Sequence, residues 1–189
     1  IEQGFKNFYI SINYKGEMIE DYFGNGSHLG VQIKYIREDK RLGTAGPLKL
    51  LSETNAQPII VMNGDILTKV DFRNLLDFHT NQEVDATLSI REYQLKVPYG
   101  VVRVEGSRFR SIEEKPKEKF HINAGLYVLN PELINYIPEN VYFDMPELFK
   151  ILASENRETA VYPIRDYWMD IGHMDDYERA NGEYREVFK

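Results

Sequence analysis

Strand-like and helix-like segments alternate along almost the whole chain, and this alternation limits the fold more than any other feature of the sequence. Residues 8–13, 31–37, 58–62, 86–91, 122–129 and 159–163 read as strands, rich in β-branched and aromatic side chains. Between and after them, Gly16–Phe23, 44–52, 71–81, a short piece opening at Asn130-Pro131, 144–154 and 174–188 carry apolar residues at helical spacing. Pro47 and Pro146 are tolerated because each lies in a first turn, and Asp144 is placed to cap the helix it precedes. The order predicts an α/β fold, a mostly parallel mixed sheet flanked by helices, with a hairpin inserted at 99–114 around Glu105-Gly106-Ser107. The run Ile59-Ile60-Val61-Met62 is continuously apolar, as expected of a strand covered on both faces.

Composition removes several classes of chemistry. The 189 residues include no cysteine, which excludes a disulfide framework, a thiolate zinc site and a cysteine nucleophile. Lys and Arg total 23 against 30 Asp and Glu, a net charge of −7 that argues against nucleic acid as a partner while allowing a local basic pocket for a small phosphate. No apolar run approaches the ~18–20 residues of a membrane span and no signal peptide is seen, so a cytoplasmic protein is expected. The four histidines have no paired spacing and no serine-nucleophile signature is present. The opening Ile1-Glu2-Gln3-Gly4 reads as the last turn of a helix closed by glycine, which suggests a chain that has lost its beginning.

Four segments carry candidate chemistry. The buried-type strand 58–62 ends in Asn63-Gly64-Asp65, and ligands of an open α/β sheet sit beyond such strand ends; a turn Asp bonding its own backbone is an equal alternative. Tyr167-Trp168-Met169-Asp170 places a second acid after a short strand, where a cap or turn is the commoner role. Brought together, Asp65 and Asp170 would suit a hard cation such as Mg²⁺, which takes one or two carboxylates and completes its shell with phosphate and water. In Glu113-Glu114-Lys115-Pro116, the proline is expected to hold Lys115 extended, where it could neutralise a phosphate beside a glutamate that accepts sugar hydroxyls; a solvated charge cluster is the blander alternative. Arg41-Leu42-Gly43-Thr44-Ala45-Gly46 offers small residues before a helix, where a ligand can approach backbone closely, but it is no Walker A loop. Gly100 and Gly125 stand where a side chain would block a pocket, or simply at a bulge.

In order, LGTAGPL (42–48), NGDIL (63–67), PYGVV (98–102), IEEKP (112–116), NAGLYVLNPE (123–132) and YWMDIGHMDDYERAN (167–181) resemble the sugar-1-phosphate nucleotidylyltransferase family over nearly the whole chain, closest to bacterial guanylyltransferases of the mannose-1-phosphate type. The resemblance implies a Rossmann-like sheet of the glycosyltransferase-A kind. It implies that the enzyme makes an NDP-sugar and pyrophosphate from an NTP, GTP favoured, and a sugar-1-phosphate, with Mg²⁺ as cofactor. It places Gly43, Thr44, Asn63 and Gly64 at the nucleotide, and Asp65 and Asp170 on the metal. Gly100, Glu114, Asn123, Ala124, Gly125 and Trp168 fall around the sugar, with Lys115 on its phosphate; Asp65, Lys115 and Asp170 are the catalytic set. The family allows a homo-oligomer, and some members carry CBS domains upstream.

The family opens with a first strand, a GxGxRLxP loop that grips the triphosphate and a Pro-Lys-Pro segment, none of which occurs in residues 1–189. The expectation is therefore an N-terminally truncated domain with little activity as the fragment alone. Two other readings stay open on sequence: a glycosyltransferase on the same sheet, and a non-catalytic nucleotide-sugar-binding regulatory domain.

Overall fold

In the computed structural model, which describes residues 1–51 and 57–188, strands and helices do alternate as the sequence suggests. A parallel pair, β1 (Asn7–Ile12) and β2 (Gln32–Arg37), flanks α1 (Gly16–Phe23). The main sheet runs β3 (Ile59–Met62), β8 (Lys117–Leu129), β5 (Ala86–Lys96), β9 (Thr159–Pro163). Short β4 (Ile66–Thr68) pairs antiparallel with β10 (Trp168–Asp170), and β6 (Gly100–Glu105) forms the expected hairpin with β7 (Arg108–Glu114). Helices α2 (Phe72–Asn81), α3 (Met145–Ser154) and α4 (Met174–Val187) complete the fold.

Mixed pairing holds, but its expected parallel bias does not. Among the described residues only β1·β2 and β5·β9 are parallel, while β3·β8, β5·β8, β4·β10 and β6·β7 are antiparallel. The cause is the inserted hairpin: the chain leaves along β5, turns through β6 and β7, and returns along β8 beside the strand it left. Apolar alternation records that a strand exists and says nothing of its direction.

Strand β8 organises the core. Tyr127 and Leu129 face α3 residues Met145, Leu148 and Leu152 with Leu133 and Ile137, while Leu126 and Val128 face Leu75, Val70 and Ile164 on the opposite side. All of these are buried, so the sheet is covered on both faces and the strand reads as an unbroken apolar run. At β3, Ile59 and Val61 pack on one cluster and Ile60 on the other, as expected, yet every residue of β3 stays partly exposed and Met62 is 45% accessible. Among the described residues its second edge is unpaired, and it opens onto a cleft of about 1530 Å³ that β1 also lines.

Local expectations divide according to capping and length. Helix α2 starts where read because the Asp71 carboxylate accepts hydrogen bonds from the N–H groups of Arg73 and Asn74. The helix expected at 44–52 is only a 3₁₀ turn, Gly46–Leu50, and Ser52 lies outside the described residues. His79 is a satisfied core residue, bonded to Thr87 Oγ1 at 2.9 Å and Asn130 Oδ1 at 3.2 Å. Gly4 closes the opening turn at φ 88°, its N–H donating to Ile1 O. No helix among the described residues is long and apolar enough to cross a membrane.

Candidate active site

The run of β3 delivers Asn63, Gly64 and Asp65 to the end of the sheet, and β10 delivers Asp170 to the same end. Ile171 N–H donates to Asp65 O at 2.8 Å, and Asp170 pairs with Ile66 across β10 and β4. Gly172 sits between the two carboxylates: a Cβ built there would lie 3.1 Å from Asp170 Oδ1 and 3.2 Å from Asp65 Oδ2. Both acids therefore reach one point in space, and glycine alone keeps that point open. Asp170 Oδ1 accepts the Gly172 N–H at 2.8 Å, so the turn role predicted for it is real as well. Among the described residues the Asp65 side chain accepts no hydrogen bond and meets no cation, and no group of three or more His, Cys, Asp or Glu forms a metal cage. Two convergent carboxylates with open space between them fit an octahedral cation that draws its remaining ligands from phosphate and water.

Gly43, Thr44, Asn63, Gly64 and Asp65 all line the large cleft, and a second cavity of about 600 Å³ joins Gly43, Thr44 and Asn63 to Asn123. Residues 123–125 form a bulge: Leu88 pairs with Tyr127 but Ile90 with Asn123, leaving extra β8 residues opposite Ser89. Gly125 takes φ 69° there, its N–H donating to Asn123 Oδ1 at 3.0 Å and its carbonyl accepting from Asn63 N–H at 2.9 Å. Asn123 in turn donates to the Tyr127 hydroxyl at 2.8 Å, and burial pushes that hydroxyl above its ordinary pKa. Trp168 Nε1 donates to Ala124 O at 2.8 Å, tying β10 to the bulge, with the Arg91 guanidinium over the indole.

Loop 42–46 is held differently from its sequence reading. What closely approaches Gly43 is the chain itself: at φ 82°, a Cβ would lie 2.7 Å from both Asp144 Oδ1 and Phe143 O. Thr44 N–H and Oγ donate to Asp144 Oδ1 at 2.8 and 3.1 Å. Asp144 occupies the N-cap position of α3 without capping it; the Met145 N–H goes to Thr44 Oγ instead, at 2.9 Å. Tyr142 OH donates to Asp144 Oδ2 at 2.7 Å. Burial pushes the Asp144 carboxyl up, but the bonds from Thr44 and Tyr142, with the Arg41 charge, bring it below its ordinary value. Sequence reading held Arg41 and Tyr127 only as members of motifs, without a role in a cavity, and did not single out Tyr142.

Gly100, Glu114 and Lys115 form a separate group at the hairpin base. Gly100 pairs with Glu114, whose Oε2 lies 2.9 Å from the place of a Gly100 Cβ. Lys115 is not extended: it takes φ 49° at the bend where the β6–β7 ladder runs on into the β5–β8 ladder, and its N–H is pinned to Tyr99 O at 3.2 Å. Its side chain is exposed, and these three residues line neither cavity.

The sequence pattern of the nucleotidyl transferase family matches residues 1–187. A D-glycero-alpha-D-manno-heptose 1-phosphate guanylyltransferase of Aneurinibacillus thermoaerophilus is 34% identical over 96% of this chain and 80% of its own length. A mannose-1-phosphate guanyltransferase of Debaryomyces hansenii is 34% identical over 92% of this chain and 50% of its own. The chain thus spans about half the length of most mannose-1-phosphate relatives it matches. Among solved structures, HddC from Yersinia pseudotuberculosis superposes with a TM-score of 0.73 at 25% identity, covering 97% of this chain and 80% of that one.

Proposed function

This chain belongs to the nucleotidyl transferase family, and from that premise we propose that it provides the catalytic domain of a sugar-1-phosphate guanylyltransferase. The reaction joins an NTP, with GTP favoured, to a sugar-1-phosphate and releases pyrophosphate. The meeting of Asp65 and Asp170 at Gly172, beside a cavity lined by Gly43, Thr44, Asn63 and Asn123, is the observation that carries the reading. The guanylyl names of the heptose and mannose relatives support the choice of base.

The chemistry asks little of the side chains beyond placement and charge. The nucleophile is a phosphate oxygen, already anionic, so no general base is required, and the buried, fully bonded His79 is free of any such duty. The obstacle is repulsion between two anions brought in line, and fixed counter-charge and orientation lower it. Mg²⁺ held by Asp65 and Asp170 would offset phosphate charge. Lys115, on the exposed bend after β7, would supply a cation for the sugar phosphate, and Glu114, whose carboxylate fills the space that the missing Gly100 side chain leaves, would accept from sugar hydroxyls. The Asn63 backbone N–H is held by Gly125 O and the Asn123 amide by Gly125 N–H and the Tyr127 hydroxyl, so both residues stand in fixed positions on the cavity wall.

The test is pyrophosphate release by the intact protein, with NTPs crossed against sugar-1-phosphates with and without Mg²⁺. Dependence on both substrates and on the metal is the expected result. Transfer from an NDP-sugar without pyrophosphate would mean a glycosyltransferase, and NDP-sugar binding with no turnover a regulatory domain.

A further inference from the structure

Building on the nucleotide reading of loop 42–46, we infer that Asp144 is a positioning residue for that loop, acting through a reciprocal clasp with Thr44. The two residues stand 100 positions apart and exchange roles. Asp144, at the start of α3, takes the N–H and the hydroxyl proton of Thr44, while the Thr44 oxygen caps α3 by accepting the Met145 N–H. Ala45 and Gly46 N–H both reach Phe143 O at 3.0 Å, and Phe143 N–H returns to Leu42 O at 2.8 Å, so the loop and the entry to α3 form one unit. Tyr142 occupies the other Asp144 oxygen and so fixes the carboxylate plane.

This has a direct consequence for recognition. A hydroxyl has one proton to give, and that of Thr44 is spent on Asp144, so a base carbonyl could take it only by breaking the clasp. Among the described residues the N–H and C=O of Gly43 make no hydrogen bond, and Gly43 lines both cavities. The clasp therefore presents the Gly43 backbone, rather than the Thr44 hydroxyl, to the planar edge of a base. Asp144 also lines the smaller cavity, but both its oxygens are taken by Thr44 and Tyr142, so it sets where that backbone stands through the clasp.

The test uses the intact protein, GTP and mannose-1-phosphate as probes, and backbone amide hydrogen exchange alongside kinetics. Loss of a charge-assisted acceptor in Asp144→Ala should raise KM for GTP about tenfold or more. Its kcat and its KM for the sugar phosphate should move less than about threefold, and Thr44 amide exchange should accelerate. Asp144→Asn, which keeps an acceptor oxygen, should recover most of the loss and covers the case in which the alanine variant does not fold. Thr44→Val should expose the Met145 amide to exchange, while Thr44→Ser should not. An unchanged KM for GTP in Asp144→Ala, despite a faster Thr44 amide, would overturn the positioning role. So would loss of GTP affinity in Thr44→Val with the Met145 amide still protected, since the hydroxyl would then belong to the base. If wild type binds no nucleotide while the exchange pattern holds, the nucleotide reading falls and only a structural clasp survives.

Discussion

Two long-range meetings that involve acidic side chains, one at Asp144 and one at Asp65 and Asp170, end in opposite conditions. Asp144 is filled: its oxygens accept hydrogen bonds from Thr44 and Tyr142, and its carboxyl is held below its usual pKa. Asp65 and Asp170 are left open: one accepts nothing among the described residues, the other a single turn N–H, and a glycine keeps the space between them clear. A carboxylate whose lone pairs are met by the chain's own donors is holding structure. Two carboxylates that converge with lone pairs unmet leave room for a cation or substrate, which is the role proposed for them above.

The contrast breaks most visibly at the open pair. Removing a preorganised charge partner typically costs about 2.7–4 kcal/mol of transition-state stabilisation, so Asp65→Ala or Asp170→Ala should lower pyrophosphate release by ~10²–10³-fold. Melting temperature should hold steady or rise as repulsion is relieved, and the double variant should lose little more than either single one. Near-normal turnover in either variant would remove the pair from catalysis.

Gly172→Ala tests the space itself. Its added methyl would press on both carboxylates, while its backbone lies outside the left-handed region, so folding should be preserved and the Mg²⁺ concentration for half-maximal activity should rise. An unchanged Mg²⁺ titration would show that the open point is not where the ion sits.

At the filled site the expected loss is stability. Asp144→Ala leaves the Thr44 N–H, its hydroxyl proton and the Tyr142 hydroxyl without their acceptor, a destabilisation of about 1–3 kcal/mol by urea unfolding. The smallest effect is on pH dependence. The folded-state pKa of Asp144 lies below its ordinary 3.8, so its contribution is full above that value and is lost as pH falls through the lower folded value. Below about pH 4, wild-type stability should therefore fall more steeply than that of Asp144→Asn. Parallel slopes would show that the clasp carries no such linkage.

How legible each part was follows from the range of the interactions that make it. Helix α2 could be placed because Asp71 caps it locally, and the β6–β7 turn because Gly106 lies within it at φ 57°. Strands β5 and β8 extend past their apolar stretches, since pairing from Tyr93–Phe120 to Lys96–Lys117 continues without burial to mark it. Lys115 was misplaced because the preference of a residue before proline yields to a bend in the two-stranded ladder, pinned by Tyr99 O. Asp144 reads locally as a helix cap, and nothing near it in sequence signals that Thr44 takes that duty.

By itself the sequence determined where most strands and helices lie and the ordered motifs that mark the family, and it nominated side chains for metal and phosphate chemistry. These depend on periodicity, charge and turn residues within a few positions of one another. Only the tertiary structure decided strand direction, the meeting of Asp65 with Asp170 at Gly172, the exchange of roles between Thr44 and Asp144, and the separate place of Glu114 and Lys115. Each of those is a contact between segments far apart in the chain. Local preference cannot encode such a contact, because its geometry exists only once the elements between have packed.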